Sequence, residues 1–222
     1  MSSTAPQWQG DSAALRELQA SLAEEVELRD RFPQPLRSIA GFAVGSGEDG
    51  TSVRAVAVLL DAETLVVLDH RTVRRPASMP ALPGLRSFRE LPALLDALAM
   101  LRRAPDLAFI NGHGFAHPQR LGIAAHFGVA SGLPSIGVAT STLVGEARMA
   151  LHEMRGAFTP LRDGPKQIGW LLRSRADRAP LVVSPGHRVA MAAAPELVMR
   201  FTTSHRLPEP LRLAETPAPR MA

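Results

Sequence analysis

The stretch that most constrains this chain is Asp106 to His117, DLAFINGHGFAH. Leu107, Ala108, Phe109 and Ile110 form a short apolar run between a polar helix end and a glycine, which reads as a buried strand. The strand ends on Asn111, and Gly112, His113 and Gly114 make a tight turn behind it. Two glycines let backbone N–H groups come close to a ligand, and a strand end beside such a turn is a common functional position in α/β folds. The same residues also fit a plain strand-to-loop corner whose histidines only satisfy backbone groups.

The rest of the chain arranges itself around that strand. Asp11 or Ser12 caps an expected helix to about Arg31, with Leu15, Leu18, Leu22, Val26 and Leu28 near helical spacing and Pro33 and Pro35 beyond its end. Three apolar runs follow, Ser38 to Gly45, Ser52 to Leu60 and Thr64 to Val73, and predict an antiparallel meander. Residues 75–84 are proline-rich and predict no regular structure. Residues 87–103 read as a helix, with Ser87 and Glu90 spaced as a capping box and Pro92 in its first turn. After the central strand come a helix over 118–131, a strand from Leu133 to Ala139, a loop-like region over 145–166, and strands at Gln167 to Leu172 and Leu181 to Ser184. A last helix spans about Val189 to Phe201, and the tail from Leu213, rich in Pro and Ala, reads as disordered. Three strands, a helix, a strand, a helix and further strands give a single α/β domain over residues 1–212: a mixed sheet flanked by helices, in ribonuclease-H-like order. In that order the middle of the first strand and the end of the fourth are neighbours.

Composition removes several chemistries. There is no cysteine, so disulfides, thiolate catalysis and Cys–zinc sites are excluded. No apolar run approaches the roughly 20 residues that cross a bilayer. The opening MSSTAPQWQGD has no basic and apolar signal pattern, so a cytoplasmic protein without a membrane partner is the expectation. Net charge is only +4, yet the isoelectric point is about 11.0. The two agree because tyrosine and cysteine are absent and Lys166 is the single lysine, so arginine carries the positive charge. An arginine excess suits phosphate contacts and equally suits a plain soluble surface.

Six segments carry a resemblance: IAGFAVG (39–45), MPALPGLRSFRE (79–90), FINGHGFAHPQRLG (109–122), PSIGVA (134–139), SPGHRVA (184–190) and HRLPEP (205–210). Together they resemble the endonuclease V family, the deoxyinosine 3′ endonucleases, over roughly residues 14–212. The resemblance implies a ribonuclease-H-like fold, Mg²⁺ or Mn²⁺, and cutting of DNA, in some members RNA, near inosine. It also implies roles. Glu90 matches a metal ligand, and His187 matches an active-site position, with Arg188 beside it. Pro80, Ala81, Leu82, Pro83 and Gly84 match the wedge that separates base pairs beside the lesion. Gly112, His113, Gly114 and His117 belong to the nucleic-acid-binding turn.

At the metal this chain departs from that pattern. The first-strand aspartate is Ala43, and the aspartate of the glycine turn is Asn111. The lysine after G-V-A is Thr140, and the wedge tyrosine is Ala81. Hydrolysis of a phosphodiester with a metal needs a cation that polarises phosphate and makes hydroxide. Mg²⁺ wants hard oxygen donors. One carboxylate, one amide and one methyl group bring about two fewer negative charges, enough to weaken metal binding by orders of magnitude. Glu48, Asp49, Asp61 and Asp69 have no evident path to the site. Arg86, Arg89, Arg120 and Arg188 are candidate phosphate contacts or solvated surface. Three functions follow: an endonuclease V homologue bound to inosine-containing nucleic acid but catalytically impaired or inactive, a working Mg²⁺-dependent endonuclease, and a protein-interaction module on the same scaffold.

Overall fold

The computed structural model describes residues 10–47 and 50–216. Three antiparallel strands open the sheet: β1 (Ser38–Ser46), β2 (Ser52–Asp61) and β3 (Val67–Pro76). β4 (Leu107–Asn111) lies parallel to β1, and β5 (Ser135–Ala139) parallel to β4. The far half holds β6 (Glu146–Ala147), β7 (Phe158–Asp163), β8 (Lys166–Leu172) and β9 (Leu181–His187). The strand order is β3-β2-β1-β4-β5-β9-β8-β7-β6. The start of the β1–β4 pair is pinned by Asp106, whose carboxylate accepts from the Arg37 and Ser38 N–H groups at 2.8 and 3.0 Å.

Helices cover both faces. α1 (Ser12–Glu24), α2 (Arg86–Ala99) and α3 (Ile123–Ser131) come before β5, and α4 (Ala193–Arg200) and α5 (Glu209–Glu215) after β9. Side chains alternate across a strand, so β1 and β4 feed two cores. Ile39, Leu107 and Phe109 pack with Val198 and Phe201 near α4 and with Leu211 and Ala214 of α5. Ala40, Phe42, Ala108 and Ile110 pack under α2 and α3 with Leu94 and Phe127. Burial on both faces explains the unbroken apolar run of β4.

Gly41 sets how α5 sits. A Cβ built there would lie 1.9 Å from the Pro210 carbonyl oxygen, so only a bare backbone lets the first turn of α5 rest on β1. From there α5 carries its last residues toward the far end of β1.

Several expectations are corrected. α1 stops at Glu24, not Arg31. Val26 and Leu28 leave helical register to pack with Phe115 and Ala116, and the Glu27 carbonyl accepts the Arg188 N–H. Ser87 does not cap α2: Leu85 occupies that position, and Ser87 Oγ meets His126 Nδ1 at 3.1 Å. Pro92 sits in the second turn rather than the first. α3 and α4 begin later than the pattern predicted, β3 runs on to Pro76, and 145–166 holds β6 and β7. The tail from Leu213 begins as the last turn of α5, ordered by burial of Leu211 and Ala214; residues 217–222 lie outside the described residues.

Candidate functional site

β1 and β4 stay paired up to Phe42 and Ile110, so Ala43 in the middle of β1 and Asn111 at the end of β4 follow side by side. On its other side Asn111 pairs with Val138 of β5. The chain then turns at Gly112, whose φ of 141° and lack of Cβ are both required, since a Cβ would lie 2.4 Å from the Ile123 side chain. Gly114 is a packing glycine: its N–H donates to Ser184 Oγ at 2.9 Å.

Asn111 walls two cavities. The larger, about 660 Å³, lies between the 81–84 loop, the start of α2 and the glycine turn. Ala81, Leu82, Pro83 and Gly84 line one side of it, and Gly112, His113 and His117 the other. Glu90 reaches it from α2. Its carboxylate is buried and accepts from Arg86 Nε at 2.7 Å. Burial pushes the Glu90 carboxyl up against the pull of Arg86 and Arg89. α1 braces the loop from behind, with Gln19 Nε2 donating to the Gly84 carbonyl at 2.9 Å and Arg16 to Pro83 at 3.4 Å.

The histidines of the turn are neutral donors. His113 Nε2 lies 2.9 Å from the Ser141 carbonyl, which only accepts, so that nitrogen carries the proton. Burial lowers its pKa. Burial also holds His117 at about 4, and its Nδ1 accepts the Gln119 N–H, leaving the proton on Nε2.

The smaller cavity, about 390 Å³, is the expected pocket between the first strand and the glycine turn, but the presence of Glu215 in it was not legible in the sequence. Ala43, Ser46, Arg54 and Asn111 line it, and so does Glu215 at the end of α5. Asn111 Nδ2 donates to Glu215 Oε1. Burial raises the Glu215 pKa. A second carboxylate thus arrives from the segment expected to be disordered. The signal was Leu211 and Ala214, spaced for one helix face, after prolines tolerated at a helix start.

Other expected residues stay away. Pro80 is exposed and outside both cavities. His187 sits at the opposite end of β5, opposite Ser135, and its Nδ1 accepts the Glu27 N–H at 3.2 Å. Arg188 Nη1 donates to the Gly132 carbonyl, and Arg89 ties Met79 to Gly50. Arg120 pairs with Asp163, Asp61 caps the turn before β3, and Asp69 holds the Arg102 N–H. Glu48 and Asp49 lie outside the described residues.

Behind the larger cavity, His126 is buried against Phe88, and burial holds its imidazole at about 4. An unfolded histidine titrates near 6.5. Between those values the unfolded chain binds the extra proton, so the contribution is complete above about pH 6.5 and lost as pH falls through about 4. It amounts to about 3 kcal/mol. Urea unfolding at pH 7.5 and 4.5 should show that loss, and His126→Phe should shrink the difference; an unchanged difference would count against a neutral buried ring.

The chain is similar over nearly its whole length to known proteins. It shares 56% identity over 216 residues with the endonuclease V of Azotobacter vinelandii, covering 97% of this chain and 96% of that one. Among solved structures, endonuclease V from Streptomyces avermitilis superposes with a TM-score of 0.87 at 36% identity, covering 94% and 91%. Endonuclease V from Ciona intestinalis, crystallised with DNA containing an inosine, superposes with a TM-score of 0.78 at 21% identity, covering 91% and 94%. The nine-stranded mixed sheet with helices on both faces is therefore the ribonuclease-H-like fold. No helix among the described residues is long and apolar enough to cross a membrane. With the Endonuclease V family model matching residues 20–216, from α1 to the end of α5, the chain belongs to the endonuclease V family.

Proposed function

We propose that this endonuclease V-family protein binds inosine-containing DNA in the larger cavity and its rim, with phosphodiester hydrolysis strongly impaired. One observation carries the reading: where a cation would need clustered negative charge, Ala43 presents a methyl group and Asn111 turns its N–H toward Glu215. Glu90, the other carboxylate, is already paired with Arg86. Among the described residues no three His, Cys, Asp or Glu side chains converge as a metal cluster. These donors do not fit the hard-oxygen shell that Mg²⁺ requires.

Binding of DNA rests on the chain's own groups. The exposed Arg86 guanidinium and the neutral Nε2–H of His117 suit phosphate oxygens at the rim, whereas the single N–H of His113 is already given to Ser141. Leu82 is the half-buried apolar residue of the 81–84 loop and serves as the wedge where Ala81 is too short. Gln19 and Arg16 hold that loop in place from α1.

Glu215 supports a second reading, a working endonuclease with a rearranged donor set, because it returns one negative charge to the pocket. A nicking assay on an inosine-containing duplex with Mg²⁺ or Mn²⁺ separates the two. Turnover comparable to an active relative, abolished by Glu215→Gln, would establish the second reading. Binding of the inosine duplex over a plain one, with little turnover and no effect of Glu215→Gln on it, is the expected result.

A further inference from the structure

A third cavity, about 570 Å³, is lined by Arg175, Arg178, Ser204, His205 and Arg206. Among the described residues no carboxylate lines it. Nearby, Asp177 faces Arg175 at 2.8 Å and Arg178 at 3.7 Å, so one carboxylate stands against three guanidinium groups. Glu209 is engaged by Thr203 and Arg212, and one of its oxygens also lies 3.8 Å from His205 Nδ1.

Two of these guanidinium groups, those of Arg175 and Arg206, are held by backbone carbonyls, while Arg178 is exposed and faces only Asp177. Arg175 Nη1 donates to the Ser204 carbonyl, and its other nitrogens to Asp177. Arg206 Nη2 donates to the Pro180 and Thr140 carbonyls at 2.9 and 3.3 Å, and its Nε is buried without a partner. Ser174 Oγ fixes the Arg206 backbone at 2.7 Å. Side chains ordered in advance lose less entropy when they bind.

The cavity also adjoins the site. Thr140 gives its carbonyl to Arg206, and the next residue, Ser141, gives its carbonyl to His113. Consecutive Cα atoms lie about 3.8 Å apart, so one step of the chain joins the arginine cavity to the glycine turn. Among the described residues His205 is its sole ring, and no aliphatic side chain lines it. That lining suits a phosphate, which guanidinium forks bind in pairs of hydrogen bonds, and not a base or a sugar ring.

We propose that Arg175, Arg178 and Arg206, with Ser204 and His205, form a second phosphate-binding site that grips the backbone of duplex DNA beyond Thr140. It rests on the DNA-binding reading above and extends the contact past the base-binding cavity. Its contribution is independent of sequence and of the lesion.

The test is fluorescence anisotropy of plain and inosine-containing duplexes across a salt series, for the parent and for Arg175→Gln with Arg178→Gln. Each neutralised phosphate contributes about 0.9 to the slope of log affinity against log salt. The double variant should therefore have a slope shallower by about 2. Its affinity at low salt should fall at least about tenfold, equally for both duplexes. Arg178→Gln alone, at the most exposed of the three, should give about half that change and serves if the double variant melts early. A slope equal to the parent's overturns the site, as does a loss confined to the inosine duplex. Salt-dependent binding by the parent keeps those failures separate from failure of the functional reading; a parent with no such binding overturns both.

Discussion

Replacing Ala43 and Asn111 together by aspartate is expected to raise Mn²⁺ affinity by at least about a hundredfold and to bring out nicking of an inosine-containing duplex. The Phe42–Ile110 pairing sets both positions side by side, one in the middle of β1 and the other at the end of β4, lining the smaller cavity with Glu215. A carboxylate about 4 Å from a unit positive charge gains about 4 kcal/mol at an effective dielectric of 20. Half of that from each of the two, after desolvation, exceeds two factors of ten. Without a cation, the new group at position 111 would face Glu215 as a like charge, so one of the two would hold its proton at neutral pH. Calorimetric titration with Mn²⁺ at pH 7.5 reads the gain. No gain would mean that Glu90 and Glu215 cannot close on an ion from where they stand, and that the site has decayed beyond its two missing charges.

Gly41→Ala should be among the most damaging single methyl additions in the protein. The new Cβ would lie 1.9 Å from the Pro210 oxygen and 2.1 Å from its carbon. Both atoms are backbone, so relief requires α5 to lift off β1. Overpacking of this kind costs about 3 kcal/mol. In a domain of this size that is roughly 6–12 °C in Tm. Lifting α5 also withdraws Glu215 from Asn111, so a binding defect at the smaller cavity should accompany the loss. Gly45→Ala, on the same strand with nothing within 4 Å of an added Cβ, is the control. Equal melting temperatures for the two variants would refute the close contact.

The elements that the sequence made legible are those whose apolar pattern is local. The meander, β4 and β5 can be read from their runs, and the order of the elements alone sets Ala43 beside Asn111. What was not legible depended on contacts made far along the chain. Ser87 and Glu90 have capping-box spacing, yet His126 takes the hydroxyl and Arg86 the carboxylate. Val26 and Leu28 have helical spacing, yet a better apolar partner near Phe115 ends the helix early. Glu215 was hidden because the Pro- and Ala-rich tail from Leu213 reads as disordered, whereas its first residues complete α5, which starts at Pro208 and Glu209. His187 lies in one of the segments that carry the resemblance, and the β5–β9 register puts it at the opposite end of β5 from Asn111 and the two cavities.

Asn111 stands as a common wall, and this imposes a reciprocity. Its one amide has a single orientation at a time, with its N–H now committed to Glu215. A ligand in the larger cavity that prefers the opposite orientation must supply the free energy of turning it. A ligand already settled beside Glu215 that prefers that same orientation would then lower this cost, and by linkage each would tighten the other's binding by the same factor.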